Sequence, residues 1–167
     1  METYKVIEGF ENYSVSDHGN VKNNKTGKVL KNCPNAQGYE QVQLWKHKKP
    51  TSVKVHRLVA LSFLPNLEVK PMVDHIDNNI VNNNVLNLRW ATRVQNGQNR
   101  ILNKNNKTGQ KGVSYDHRSK KYASMIQVDG IPVHLGYFTN LEDATQARII
   151  RANQVFGVFT NACEKII

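Results

Sequence analysis

The sequence predicts an α+β chain: a small β-rich N-terminal module, a central strand–strand–helix motif, and a C-terminal three-stranded antiparallel sheet packed on one helix. Three observations predict it. Short apolar-alternating runs between Gly, Asn and Asp turns fill the first third. A dense asparagine loop separates two short strand-like runs in MVDHIDNNIVNNNVLNLRW, residues 72–90. Asp129-Gly130 divides two β-type runs ahead of a long helical pattern. The expected divisions are a β-rich module over 1–54, the central motif over 55–100, a basic linker over 101–111 and the sheet-plus-helix domain over 112–167.

Taken in order, Tyr13–Ser16 reads as a strand, Asp17-His-Gly-Asn20 as a turn, and Val21-Lys22 as the return. Asn23–Gly27 is a second turn before Lys28–Lys31. Gly38–Lys46 is a longer strand with Val42 and Leu44 on one face; Lys46–Pro50 turns the chain and Thr51–Val55 returns. His56–Phe63 has the apolar spacing of a short helix, stopped before Pro65. Val73 ends a short strand, so Asp74 and His75 emerge at its end. The loop runs to Asn87, and Leu88–Trp90 is the second strand, with Leu88 and Trp90 in the core. Thr92 and Gln95 make a capping-box pattern, so a helix begins at Thr92 with Asn96 in its first turn.

Gly97–Lys111 is polar, basic and aperiodic, as in a linker. Strands follow at Gly112–Asp116, Lys121–Val128 and Ile131–Phe138. Thr139 with Glu142 is a second capping-box pattern, and a helix is expected over Asn140–Phe156, stopped by Gly157.

The net charge of +10 is spread: +5 over residues 1–70, +3 over 71–107 and +2 over 108–167. A single basic tail is excluded, and the pattern suits a protein lying along an extended polyanion. Two cysteines, Cys33 and Cys163, cannot form a four-cysteine zinc site or a disulfide framework, and are expected as free thiols in a reducing compartment. No apolar run is long enough to span a bilayer, and METYKVIEGF lacks the apolar stretch of a leader. The expectation is a cytoplasmic, nucleoid-associated protein with no membrane partner.

Asp74-His75 carries the chemistry. Cleaving a phosphodiester requires a group that takes a proton near neutral pH and a counter-charge for the leaving oxygen. Histidine suits the first task. A hard divalent cation held by oxygen ligands suits the second, and Asp74 and Asn96 could supply a carboxylate and an amide oxygen. On a regular strand Asp74 and His75 point opposite ways, so a shared site requires the strand to end or twist there.

Residues 55–96 resemble the HNH (ββα-metal) endonucleases of phage homing type, on the text VHRLVALSF, VDHIDNNIVNNNVLNLRWAT and then Asn96. The resemblance implies a site-specific DNA endonuclease. Asp74 and Asn96 would bind Mg²⁺ or Mn²⁺, His75 would be the general base, and Asn87 would fix the loop and the orientation of His75. Arg89 would contact phosphate or brace the loop, and His56 would be structural. No structural zinc is expected, because cysteine pairs are lacking. Residues 1–50 resemble a module often joined to phage HNH nucleases, on GFENYSVSDHGNVKNNKTGKVLK, which implies a β-rich DNA-contacting unit.

Residues 109–157 resemble the ethylene-response-factor (Apetala-type) DNA-binding domain, whose sheet enters the major groove. Val113 and Tyr115 would face the helix; Ser114, Asp116, Met125, Gln127 and His134 would face the groove. Ser114 and Gln127 stand where arginine is usual. Arg89, Arg93, Arg100, Lys104, Lys107, Lys111, Arg118, Lys120 and Lys121 complete the expected DNA contacts, on double-stranded DNA bound by a monomer. The alternative reading is a non-cleaving, sequence-specific DNA-binding regulator.

Overall fold

A computed structural model describes residues 1–165. The architecture is α+β, with small antiparallel sheets and few helices. The chain forms two compact units, Met1–Thr92 and Arg93–Ile167.

In the first unit, β1 (Tyr4–Ile7), β2 (Phe10–Ser16) and β3 (Val21–Asn23) form one meander. β4 (Cys33–Pro34), β5 (Glu40–Lys46) and β6 (Lys49–Lys54) form a second sheet. β1 and β4 were not expected from sequence: Tyr4–Ile7 alternates weakly, and a two-residue edge has no periodicity to read. Conversely, Lys28–Lys31 is no strand; only Val29 bridges, to Lys22. The β5–β6 turn is tighter than expected, since His47 and Lys48 both take positive φ, which suits a two-residue hairpin.

The helix α1 (Val55–Phe63) follows β6 without a loop. Its spacing buries Val55, Leu58 and Val59 against Ile7, Tyr13, Val15, Val21, Val42 and Leu44 from the two sheets, and Leu88 joins them. Leu64 closes the helix by donating to the Ala60 carbonyl, one residue before Pro65. β7 (Met72–His75) pairs with β8 (Leu88–Ala91). The strand thus includes Asp74 and His75 rather than ending at Val73, because both pair across the ladder, to Arg89 and Leu88. Leu88 is buried; Trp90 is half-buried, and its indole donates to the Leu64 carbonyl at 3.1 Å.

The second unit opens with α2 (Arg93–Gln98). Residues 99–112 are irregular, yet parts of them are packed: Asn99 is buried, with its carbonyl bonded by Asn161. β9 (Val113–Asp116), β10 (Lys121–Val128) and β11 (Ile131–Phe138) form an antiparallel sheet in the order β11-β10-β9. Asp129 and Gly130 both take positive φ, as the two-residue turn requires. α3 (Leu141–Phe156) packs on this sheet through Ala152 and Phe156 against Ile126. Its N-cap is Asn140, not Thr139: the Asn140 side chain accepts from the Asp143 amide at 2.8 Å and donates to the Asp143 carboxylate at 2.8 Å. The box is shifted by one residue because asparagine caps at least as well as threonine. Gly157, at φ +51, ends the helix.

Candidate functional site

The β7–β8 hairpin positions the chemistry in the first unit. Asp74 and His75 are each only 5% exposed. Asp74 faces Arg89 across the ladder, and the Arg89 Nε and Nη2 both reach Asp74 Oδ2, at 2.8 and 2.7 Å. Arg89 therefore braces the carboxylate in this structure.

Asn87 ties the loop at both ends. Its Oδ1 accepts from the Asp77 amide at 3.0 Å, and its Nδ2 donates to the Asp77 carboxylate at 2.8 Å and to the Asn82 carbonyl at 2.9 Å. The Ile76 amide donates to the Asn87 carbonyl. Burial pushes the Asp77 carboxyl up, but hydrogen bonds from Asn82, the Asn79 amide and Asn87 together hold it below its ordinary value. Asn87 thus ties the two ends of the loop together. Asn83 bonds the His75 ring, its Oδ1 lying 3.4 Å from Nε2. Asn83 was not singled out from sequence, because one asparagine in a run of them carries no local signal.

His75 sits in an aromatic cluster. The His56 ring meets it edge-on at 5.0 Å, and Tyr39 lies 5.1 Å from His56 and 6.1 Å from His75. Burial lowers the basicity of His75, against smaller opposing effects of Asn83, Asp74 and Asp77. His75 is therefore a neutral imidazole at neutral pH, able to accept a proton. His56 is buried, its Nδ1 has no hydrogen-bond partner, and burial with the neighbouring His75, Lys54 and Arg57 charges brings its pKa to about 3. It is an uncharged packing residue.

The remaining expected contacts lie in the second unit. Asn96 is half-buried on α2, and Arg93 and Arg100 are exposed. Lys104, Lys107, Arg118, Lys120 and Lys121 are exposed, as are Ser114, Gln127 and His134 on the sheet. Gln127 donates to the Gly130 carbonyl at 2.9 Å, and the His134 ring lies 4.6 Å from Tyr137. Tyr115, expected to face the helix, is 40% exposed and packs edge-on against Tyr122 and His117. Lys111, expected on phosphate, is turned inward: its Nζ lies 3.2 Å from buried Glu164 and donates to the Gln98 carbonyl at 2.6 Å. Glu164 also faces buried Arg148 at 3.1 Å. Gly112 fits only as glycine, since a Cβ there would come within 2.4 Å of Arg148 Nε and the Met125 carbonyl. No helix among the described residues is long and apolar enough to cross a membrane.

The geometry is that of a strand–loop–strand hairpin presenting a buried Asp-His pair, and similarity to known proteins places it in a class. Residues 2–45 match the NUMOD4 motif and residues 53–98 match the HNH endonuclease family. A solved structure described as DNA binding and cleavage by the HNH homing endonuclease I-HmuI is 34% identical, with a TM-score of 0.57, covering 79% of this chain and 76% of that one. The chain belongs to the HNH endonucleases of the phage homing type.

Two curated relatives show the same likeness. DNA endonuclease I-HmuI of Bacillus phage SP01 is 41% identical over 99 residues, which are 59% of this chain and 57% of the relative. H-N-H endonuclease F-TflII of Escherichia phage T5 is 36% identical over 95 residues, 56% of this chain and 49% of the relative. The chain spans about half the length of these two relatives.

Proposed function

We propose that this chain is a site-specific DNA endonuclease that hydrolyses a phosphodiester bond with divalent-metal assistance. The observation that carries it is the buried Asp74-His75 pair, on a hairpin whose loop is locked by Asn87, in a chain of the HNH family. His75, neutral at pH 7, accepts the proton of the attacking water.

The donor set fits a hard cation. Asp74 offers a carboxylate oxygen at a buried strand position, Asn96 an amide oxygen, and neither is a soft ligand. Asp74 and Asn96 would hold Mg²⁺ or Mn²⁺, which would supply charge neutralisation at the leaving oxygen. The role of Asn96 is carried by its match to the family pattern. Arg89 keeps the Asp74 carboxylate oriented.

The partner is double-stranded DNA, gripped by a monomer that nicks one strand and leaves 5′-phosphate and 3′-hydroxyl ends. Exposed Arg93, Arg100, Lys104, Lys107, Arg118, Lys120 and Lys121 supply backbone contacts. If the second unit is of the ethylene-response-factor type, as its sequence resemblance implies, the sheet face bearing Ser114, Gln127 and His134 would enter the major groove.

The ion pair of Asp74 with Arg89 favours a second reading, a non-cleaving DNA-binding regulator, because the carboxylate already has a counter-ion. DNA selected for binding to the chain, incubated with Mg²⁺ and separately with EDTA, distinguishes them. The endonuclease nicks it with Mg²⁺ only, and His75→Ala abolishes nicking while still binding. Binding without metal-dependent nicking, or equal nicking by His75→Ala, overturns the proposal.

A further inference from the structure

Glu40 is the first residue of β5, and the Gln41–Lys54 pairing brings it beside the start of α1, where His56 lies. Its Oε2 accepts two hydrogen bonds, from Asn83 Nδ2 at 2.7 Å and Asn32 Nδ2 at 3.0 Å. A carboxylate is an acceptor only, so the Asn83 amide has one satisfactory orientation: Nδ2 toward Glu40, Oδ1 toward His75. Oδ1 in turn offers only lone pairs. The neutral imidazole must therefore present Nε2–H to it, across the 3.4 Å contact, which puts the basic lone pair on Nδ1.

Asn83 has little room to do otherwise. It is 3% exposed, and Gly19 at φ +89 lies so close that a Cβ there would meet the Asn83 Cβ at 2.8 Å. The ring of Tyr39, next to Glu40 in the chain, packs against His56 and His75. The chain of contacts runs across 43 residues of sequence, from the segment matched by the NUMOD4 motif into the loop between the HNH strands.

We propose that Glu40 and Asn83 are positioning residues: Glu40 orients the Asn83 amide, and Asn83 selects the Nε2–H tautomer of His75, leaving Nδ1 to accept the proton. The N-terminal module thereby completes the reactive histidine, besides any grip it has on DNA. This rests on the reading of His75 as general base.

The test is long-range ¹H–¹⁵N NMR on the full chain carrying ¹⁵N-histidine, at a pH where the ring is neutral, with nicking and DNA affinity measured on the same samples. In the wild type, His75 Nε2 is the protonated nitrogen and Nδ1 the unprotonated one. Glu40→Ala and Asn83→Ala shift His75 to a mixture of tautomers. Glu40→Gln, whose Oε1 can accept the same two bonds, keeps the wild-type signature. Nicking falls about 10- to 100-fold in the alanine variants at unchanged DNA affinity and is restored in Glu40→Gln. Where Asn83→Ala does not fold, the two half-buried Glu40 variants decide. A wild-type His75 protonated on Nδ1, or a tautomer indifferent to Glu40→Ala, overturns the proposal. If the tautomer responds but no variant or wild type cleaves, the positioning network stands and the general-base reading falls.

Discussion

Arg89 Nε and Nη2 converge on Asp74 Oδ2, at 2.8 and 2.7 Å. A guanidinium held this way fixes the direction of the carboxylate. The pair anchors Asp74 on the β7–β8 hairpin.

Removing Arg89 therefore leaves a buried carboxylate without its guanidinium. Arg89→Met is expected to destabilise the chain by about 3–5 kcal/mol in metal-free buffer. If Mg²⁺ binds at Asp74 as proposed, it would supply replacement charge, and its stabilisation should be larger in the variant than in the wild type. Thermal unfolding with and without Mg²⁺ measures both. A loss under about 1 kcal/mol would mark the pair as no stronger than a surface ion pair.

Local signals explain what could be read from sequence alone. Asp129-Gly130 forces a two-residue turn, so β10 and β11 fall where alternation puts them. Val55, Leu58 and Val59 share one helix face, so α1 could be placed. Asp74, His75 and Asn87 could be proposed from sequence because they keep family spacing. Asn83 and Glu40 could not, since their pairing links distant segments and neither residue differs locally from its neighbours. Lys111 was misjudged for the same reason: a lysine in a basic run reads as solvated until Glu164 is seen beside it.

Asn87 is the knot of the asparagine loop, with three hydrogen bonds from one amide group. Asn87→Ala is expected to cost about 2–4 kcal/mol, since one bond is to a carboxylate and the partners are left part-buried. Asn87→Asp should cost more, because it replaces the donor to Asp77 with a like charge. Urea midpoints compare them. Nicking should fall more than DNA affinity, because the loop holds the hairpin and not the basic surface.

His56 gives the fold an acid limit. Its folded pKa of about 3 lies below the unfolded value near 6.5, so the unfolded chain binds more protons between these values. The sign follows: this stability is fully present above pH 6.5 and is lost as pH falls toward 3, by at most about 5 kcal/mol. His56→Leu removes the step and the unpaired Nδ1, so its stability should be the flatter function of pH between 6.5 and 4. Denaturant midpoints across that range test it. Equal slopes in the two proteins would show that other groups set the acid sensitivity.

Lys107 and Lys111 are both lysines of one basic stretch, yet their environments assign them opposite effects. Lys107 is exposed, whereas Lys111 faces Glu164, which is 2% exposed. If Lys107 meets a phosphate, Lys107→Ala makes the plot of log affinity against log salt shallower by about 0.9 and leaves the melting temperature unchanged. Lys111→Met should do the reverse. It strips one cation from a buried carboxylate, costs about 3 kcal/mol of stability, and leaves the salt slope as it was. Salt titrations of DNA binding and thermal melts on the two variants separate a lysine that grips the nucleic acid from one that holds the domain together.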